Sequence, residues 1–161
     1  MRVEHAAPNR YAAEYSEFFA AVQPRLRHAL AAALGSEVGI EAAQEAMAWG
    51  WEHWAELREM DNPAGYLYRV GRSRSRRFRF RRPPAGLPPV QKSNQLPWVE
   101  PGLPKALERL SERQRIVVVL VYSMGWTFAE AAEMLGVSIG TVQTHAERGL
   151  VRLRRALGGA A

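Results

Sequence analysis

The sequence predicts an all-α protein made of two small helical domains joined by a proline-rich linker. Apolar residues recur at spacings of three and four over much of both halves, capping residues precede these stretches, and seven of the ten prolines fall within residues 83–104. Proline lacks the N–H that a helix interior or a central strand requires, so this stretch separates the helical segments. The predicted domains are therefore residues 8–82 and 105–158, with residues 83–104 as the linker.

Composition and charge exclude several classes of protein. The 161 residues contain no cysteine, which excludes disulfides and thiolate metal sites and suits a reducing cytoplasm. The longest apolar run, 116–122, is too short to span a bilayer, so we expect no membrane insertion. The net charge of +6 is uneven: residues 1–62 carry −5, residues 63–92 carry +9 with no acid, and residues 93–161 carry +2. Such a local basic stripe is typical of phosphate-backbone binding, although a solvated charge run is an alternative.

The first domain is predicted to contain three helices. The first is rich in alanine and leucine, with a kink or break at Pro24 and an end at Gly35. The second has an amphipathic stripe at helical spacing, formed by Ile40, Ala43, Met47, Trp51 and Trp54. Trp49 lies on the other side among glutamates, which indicates either a protein interface or packing against a neighbouring helix.

The third helix carries the basic stripe. Asn62 is the expected N-cap, and Pro63 occupies the first helical position. The residues that follow at helical spacing are Leu67, Val70, Arg74 and Phe78. This spacing favours a helix over the strand that the alternation of arginine and phenylalanine also allows.

The second domain opens with strong capping signals. Ser111 and Gln114 have the form of a capping box, and the apolar run after them is predicted to be a buried helix that ends near residues 124–125. A second capping box, Thr127 with Glu130, begins a short helix.

The spacing after this short helix is that of a helix-turn-helix. Gly136 supplies the turn, and Ser138 caps a last helix that runs to about Leu157. A small residue, Ala132, lies four positions before the turn glycine, and an apolar residue, Val142, lies six positions after it. This pattern predicts a helix-turn-helix C-terminal domain, with a generic αα-hairpin as the alternative.

The outward side of the last helix carries side chains that can contact nucleic acid. Gln can bind adenine with two hydrogen bonds, Glu can accept from cytosine, and Thr and Arg reach phosphate or guanine. The candidate residues are Ser138, Thr141, Gln143, Thr144, Glu147 and Arg148. Gly149 interrupts this helix at a cost of about 1 kcal/mol relative to alanine, and nothing in the sequence explains it.

No enzymatic site is predicted from the sequence. The four histidines do not have the spacing of metal ligands, and no glycine-rich phosphate loop or nucleophile elbow is present. We therefore expect no catalytic residue, no metal and no cofactor.

Three stretches of the sequence are similar to motifs of one protein family. They are GWTFAEAAEMLGVSIGTVQTHAERGLVRLR at 125–154, EAAQEAMAWGW at 41–51 and GYLYRVGRSRSRR at 65–77. Together they resemble the extracytoplasmic-function (ECF) sigma factors of bacterial RNA polymerase, which belong to the sigma-70 family. The first stretch resembles sigma region 4 and the other two resemble region 2, so that the resemblance covers residues 10–82 and 104–157.

The resemblance implies a factor that directs core polymerase to specific promoters and helps to open the minus-ten DNA. It implies that the recognition-helix candidates read the minus-thirty-five element. The residues implied to contact the minus-ten DNA are Asp61, Asn62, Tyr66, Tyr68, Arg69, Arg72, Arg74, Arg76, Arg77 and Arg79. Those implied to contact core polymerase are Gln44, Glu45 and Trp49. The implied partners are RNA polymerase core enzyme, promoter DNA and, as is frequent in the family, an anti-sigma factor.

Two other functions are compatible with parts of the sequence. A stand-alone helix-turn-helix regulator that binds operator DNA as a dimer would explain residues 111–157, but it leaves the arginine-rich helix and the linker without a role. An RNA-binding protein would use residues 66–82 as an arginine-rich helix that folds on its target. Weak duplex binding by the free chain, with promoter opening only when core polymerase is added, would separate the sigma factor from both.

Overall fold

The computed structural model describes residues 7–79 and 100–158 of the chain. Every regular element in these residues is helical, which confirms the predicted all-α class. The chain divides into two compact units, of which the first contains the residues up to Arg76 and the second contains most of the residues from Arg77 onward. The helices are α1 (Ala7–Leu34), α2 (Ser36–Glu52), α3 (Trp54–Leu57), α4 (Pro63–Arg79), α5 (Leu103–Glu108), α6 (Glu112–Val118), α7 (Phe128–Leu135) and α8 (Ile139–Gly158), and a π-helical turn (Val119–Ser123) follows α6.

Helix α1 continues through Pro24, so the break that the sequence allowed there is wrong. An internal proline costs a helix about 3 kcal/mol. However, Leu26, Ala29 and Leu30 follow it directly and are fully buried, and their burial offsets this cost. Gly35 ends the helix as predicted, with a φ of +88° that favours glycine.

The buried side of α2 differs from the predicted apolar stripe. Met47 is buried as expected, as is Trp54 in α3, but Trp51 is 48% exposed. A Cβ added at Gly39 would lie 2.4 Å from the Cα of Ala31 in α1, so the two helices approach very closely. Because the two helices are so close, only small residues fit between them, and the large indole of Trp51 lies at the edge of the contact. The buried residues of α2 are Gly39, Ala42, Ala43, Ala46, Met47 and Gly50.

Helix α4 begins at the predicted cap and forms the predicted helix rather than a strand. The Oδ1 of Asn62 accepts a hydrogen bond of 2.9 Å from the N–H of Gly65, which satisfies one of the free donors of the first turn. The inward side of α4 is formed by Leu67, Tyr68, Gly71 and Ser75. The backbone remains helical to Arg79, but the side chains of Phe78 and Arg79 lie outside the described residues.

The second unit begins earlier than the predicted end of the linker. Most of the predicted linker, 83–104, lies outside the described residues, but Leu103 and Pro104 already belong to α5. The expectation that the whole proline-rich stretch is non-helical is wrong at this end, because proline is tolerated in the first helical turn, where its missing N–H would have no partner.

Helix α6 has the predicted capping box, and its end departs from the predicted regular helix. The side chain of Ser111 accepts from the N–H of Gln114, and Gln114 Oε1 accepts from the N–H of Ser111. After α6, the N–H of Met124 donates to the carbonyl of Val119, five residues earlier, so the last turn is π-helical. Within residues 7–79 and 100–158, no helix is long and apolar enough to cross a membrane.

Candidate nucleic-acid interface

Two caps and one glycine build the helix-turn-helix that α7 and α8 form. Thr127 Oγ1 accepts from the N–H of Glu130, and a carboxylate oxygen of Glu130 accepts from the N–H of Thr127 at 2.8 Å, so that α7 begins with the predicted capping box. Gly136 adopts a φ of +66° in the turn. Ala132 and Val142 are buried on either side of this turn, which agrees with the predicted packing of the second helix on the first.

Gly149 fixes the position of α8 against α6. A Cβ at this residue would lie 2.7 Å from Cγ2 of Val118, a distance that real Cβ contacts do not reach, so only glycine permits this approach of the two helices. Beside it, the buried Gln114 accepts a hydrogen bond of 3.1 Å from Arg152 of α8 through its Oε1. The glycine that the sequence left unexplained is therefore a packing residue, and it determines which side of α8 faces outward.

Four of the recognition-helix candidates lie on the outward side of α8: Gln143, Thr144, Glu147 and Arg148. Ser138 precedes the helix, and Thr141 in its first turn is half-buried. Gln143, Glu147 and Arg148 are exposed, and none of the three forms a hydrogen bond or ion pair with a described residue. By contrast, Ser138 caps the helix: its Oγ accepts from the N–H of Thr141 at 3.1 Å and lies 2.8 Å from the Thr141 hydroxyl. The side chains of Gln143, Glu147 and Arg148 therefore have polar groups that are available to a ligand.

Thr144 lies on the same exposed side of α8, with a different hydrogen-bonding state. Its hydroxyl donates to the carbonyl of Gly140 at 2.9 Å, within its own helix. The donor is thus engaged, while the oxygen lone pairs and the methyl group face outward. Such a side chain can accept a hydrogen bond from a donor or contact an apolar methyl group.

A second polar surface lies on α4. Positions spaced by three and four along the helix share one exposed side, so one continuous face is formed by Tyr66, Arg69, Ser73, Arg76 and Arg77. Arg72 and Arg74 are half-buried at its margins. No acidic residue occurs anywhere in α4, and this face therefore presents only positive charge and neutral groups.

Tyr68 does not belong to this surface. Its ring is 4% exposed, so it is not accessible to a base, and the expectation of a contact with minus-ten DNA is wrong for this residue. The guanidinium carbon of Arg72 lies 6.0 Å from the centre of the Tyr68 ring, and Arg72 Nη1 is 3.4 Å from the Tyr68 hydroxyl. Tyr68 therefore helps to position an arginine from within the core.

The turn before α4 contains two of the predicted residues in different roles. Asp61 is exposed and stays a candidate for base contact. Asn62 is half-buried, and its Oδ1 is occupied as the helix cap. The structure thus assigns Asn62 a structural role in addition to any contact.

An open cavity of about 410 Å³ lies beside the positive face, between α2 and α4. Trp49 forms one wall: its ring stacks on His53 with centroids 4.1 Å apart and an interplanar angle of 12°, and its centroid lies 5.5 Å from that of Tyr66. The other lining residues are Arg69, Val70, Ser73 and Arg74. Of the two placements that the sequence allowed for Trp49, the structure shows packing against a neighbouring helix.

The three residues expected to contact polymerase do not share one environment. Gln44 is exposed and Glu45 is half-buried on the outer side of α2, whereas Trp49 is half-buried at the cavity. His53 and Ser73 are site residues that the sequence reasoning missed. The spacing of four between Trp49 and His53, and between Arg69 and Ser73, is a signal that could have found them. Among the described residues, no group of three His, Asp or Glu side chains could hold a metal ion.

Sequence comparisons with known proteins match one part of the chain. Residues 102–153 match the family model of sigma-70, region 4. A 54-residue stretch is 46% identical to the ECF RNA polymerase sigma factor SigM from two strains of Mycobacterium tuberculosis, and it covers 34% of this chain and 28% of the length of those relatives. This sequence similarity therefore concerns one part of a longer relative.

Solved structures of similar fold cover nearly the whole chain. One is the sigma factor RpoE in complex with the anti-sigma factor NepR from Bartonella quintana, with a TM-score of 0.60 and 21% identity over 90% of this chain and 97% of that chain. Another is CnrH in complex with the cytosolic domain of CnrY, with a TM-score of 0.55 and 22% identity over 91% of this chain and 89% of that chain. Residues 102–153 therefore resemble sigma-70 region 4 in sequence, and the fold resembles that of a solved sigma factor over nine-tenths of the chain.

Proposed function

We propose that the chain is a promoter-specificity factor of bacterial RNA polymerase, which acts by binding DNA and polymerase rather than by catalysis. The observation that carries this proposal is the occurrence, in one chain, of a region 4 helix-turn-helix and of a separate helix whose exposed face has several arginines and no acid. A helix-turn-helix alone would suit many regulators. The second, purely positive surface suits a factor that must also hold an opened strand.

The outward side of α8 is proposed to read the minus-thirty-five element in the major groove. Gln143 can bind adenine through two hydrogen bonds, Glu147 can accept from the amino group of cytosine, and Arg148 can donate to guanine or phosphate. All three are exposed. Ser138 and Thr141 are proposed to contact the phosphate backbone at the helix N-terminus, where free N–H groups are concentrated, and Thr144 is proposed to contact a thymine methyl group.

The positive face of α4 is proposed to hold the opened minus-ten strand. Separating DNA costs on the order of 1–2 kcal/mol per base-pair step, so the single strand must be captured as it forms. Arg69, Arg76 and Arg77 are exposed for phosphate contacts, and Tyr66 is exposed for stacking on a base. Supporting contacts come from the marginal arginines Arg72 and Arg74, from Arg79, whose side chain lies outside the described residues, and from Asp61 and Asn62 in the preceding turn.

Helix α2 is proposed to bind core polymerase through its outer side. Gln44 and Glu45 lie there, and Gln44 is fully available to a partner. Trp49, the third residue implied by the family resemblance, is half-buried at the cavity and completes the proposed polymerase contact. The two solved structures of similar fold are complexes with an anti-sigma factor or a partner's cytosolic domain, which supports the proposal that an anti-sigma factor also regulates this chain.

The decisive experiment is promoter opening in vitro with purified chain and core polymerase. We expect weak binding of the free chain to duplex DNA, and opening of specific promoters from a library only when core polymerase is added, measured by permanganate reactivity of unpaired thymines. Tight, sequence-specific duplex binding by the chain alone, without association with core polymerase, would instead support a stand-alone regulator. Preferential binding to structured RNA would support the RNA-binding alternative.

A further inference from the structure

We propose that Arg152, held in place by the buried Gln114, forms a binding site for one phosphate of the DNA backbone, beside the outward side of α8. The proposal rests on the proposed function, since it requires that α8 reads promoter DNA. Neither residue is among the DNA contacts that the family resemblance implies. The site gives Gln114 a second role besides the capping box of α6.

The amide of Gln114 fixes the direction of the Arg152 side chain. Gln114 is 7% exposed, and its Oε1 accepts hydrogen bonds from the N–H of Ser111 at 3.3 Å and from Arg152 Nη1 at 3.1 Å. The first of these bonds belongs to the capping box, so the acceptor cannot move without breaking the cap. A guanidinium has five N–H donors in a rigid fork, and this bond uses one of them. Since Arg152 is exposed, the other donors are held in one orientation and stay available to a ligand.

The group that holds Arg152 is neutral, so the positive charge of the guanidinium is not cancelled. Arg152 forms no ion pair with a residue in 7–79 or 100–158. A glutamate at position 114 could accept the same two hydrogen bonds, and glutamate suits this position of a capping box as well as glutamine does. Glutamine, however, leaves a full charge on an oriented fork, which is the geometry that binds a phosphate through two hydrogen bonds. An oriented side chain also loses less conformational entropy on binding.

The position of Arg152 along α8 suits a backbone phosphate. Arg152 follows Gln143 by nine residues, which is about 14 Å along a helix axis at 1.5 Å per residue. The major groove is about 12 Å wide. Arg152 also lies one turn beyond the exposed Arg148, on the same side of the helix. If Gln143 contacts a base edge in the groove, Arg152 therefore lies at the edge of the groove, where the phosphates are. This favours DNA over an acidic protein side chain as the ligand.

The test measures binding of the full-length chain with core polymerase to labelled promoter DNA by fluorescence anisotropy. Each phosphate in and beside the minus-thirty-five element is replaced in turn by an uncharged methylphosphonate. We expect one position at which the replacement weakens wild-type binding by roughly 5- to 50-fold, the loss of one charge-assisted contact. In Arg152→Ala this replacement should have no further effect, because the contact is already absent. Arg152→Ala should also lower the slope of log affinity against log salt by about one.

Gln114→Glu tests the positioning role of Gln114. The carboxylate keeps both hydrogen bonds but pairs with Arg152, so the variant should resist urea as well as the wild type and bind the promoter roughly 3- to 10-fold more weakly. A residue that only stabilised the fold would not lower DNA affinity while stability is kept. Arg27→Gln on α1 is the matched control, because it changes the net charge by the same amount at an exposed position outside the proposed interface. If Gln114→Glu fails to fold, as judged by circular dichroism, the methylphosphonate comparison with Arg152→Ala still decides.

Several outcomes would overturn the proposal. These are the same methylphosphonate pattern in the wild type and in Arg152→Ala, an unchanged salt slope in Arg152→Ala, or equal promoter affinities of Gln114→Glu and Arg27→Gln. A loss of affinity of Arg152→Ala for core polymerase in the absence of DNA would show that Arg152 contacts a protein instead. Promoter opening by the wild-type chain is scored separately. If specific promoters open but no phosphate depends on Arg152, only the phosphate site is refuted, whereas a chain that binds and opens no promoter refutes both proposals.

Discussion

Gly149 shows how one missing methyl group can determine the geometry of a binding surface. Gly149 has no side chain, so α8 approaches α6 until Val118 occupies the space that a side chain at position 149 would fill. Valine is branched at Cβ and has one strongly preferred rotamer in a helix, so it cannot turn away from a new neighbour. Any larger residue at position 149 must therefore move one helix relative to the other.

We predict that Gly149→Ala lowers the free energy of unfolding by about 1–2 kcal/mol. Overpacking costs about 1–3 kcal/mol, and the better helix propensity of alanine offsets up to about 1 kcal/mol of this. The control is Gly140→Ala in the same helix, where the nearest atom to a new Cβ is Ser138 Oγ at 3.9 Å, so that a small gain is expected. Urea denaturation followed by circular dichroism measures both. A gain in stability for both variants would contradict the packing role.

The fold changes the ionisation of Tyr15. It is 8% exposed and donates a hydrogen bond to the carbonyl of Met47, and burial raises the pKa of Tyr15 from 10.0 to about 12. Below pH 10 both the folded and the unfolded chain keep the proton. Above pH 10 the unfolded chain loses it first, so the contribution of Tyr15 to stability declines as the pH rises through 12.

We therefore predict that Tyr15→Phe makes the stability of the protein less dependent on pH between about 10 and 12. The measurement is the midpoint of urea unfolding across this window, compared with that of the wild-type chain. The variant loses the hydrogen bond to Met47, so it should be less stable at neutral pH. An unchanged slope with pH would show that Tyr15 ionises equally easily in the folded and unfolded chains.

At the scale of the element, α7 depends on its capping box. The Thr127 hydroxyl and the Glu130 carboxylate satisfy donors of the first turn that would otherwise lack partners. We predict that Thr127→Ala destabilises the protein by about 1 kcal/mol, whereas Thr127→Ser, which keeps the oxygen, has a much smaller effect. Chemical denaturation of the two variants checks this. Equal losses would mean that the methyl group rather than the cap is responsible.

At the same scale, α8 is expected to carry sequence preference. We predict that Gln143→Ala changes the preferred base at one position of the minus-thirty-five element, where about 1–3 kcal/mol of discrimination is lost. Activity should not fall uniformly across promoters. Transcription from a promoter library with core polymerase measures the preference. Because Gln143 is exposed and bonded to no described residue, its removal should leave the fold intact. A uniform loss of activity on all promoters would contradict the prediction.

The elements that the sequence predicted well are those with local signals. The caps at Asn62, Ser111 and Thr127 and the turn at Gly136 depend on residues within three or four positions, and each is found where predicted. The spacing rule also predicted the outward side of α8, because a helix fixes the direction of each side chain from its position along the chain.

The features that the sequence could not predict depend on distances between helices. Trp51 is exposed because α1 and α2 meet through small residues, and Tyr68 is buried because of how α4 rests on the core. The cavity requires Trp49 of one helix to meet Tyr66 of another. Neither residue alone indicates a site, and no spacing along the chain encodes their approach.

At the scale of the whole molecule, charge is divided among segments. Residues 1–62 carry −5 and residues 63–92 carry +9. We predict that Arg76→Ala weakens DNA binding uniformly across sequences and lowers the slope of log affinity against log salt by about one. The control is Arg27→Ala on α1, which removes the same charge from an exposed position outside the proposed interface. Equal slopes for the two variants would show that net charge, not the face of α4, sets the affinity.

The division of charge within the first unit has a consequence for how a nucleic acid approaches it. Glutamates are spread over α1, α2 and α3, while α4 presents arginine without any acid. A polyanion that approaches the glutamate-bearing helices is repelled by them and attracted by α4. The two molecules therefore turn relative to each other until the arginines of α4 face the polyanion, before contact. Orientation is thus selected during diffusion, and dilute salt should accelerate productive encounters as well as strengthen the final complex.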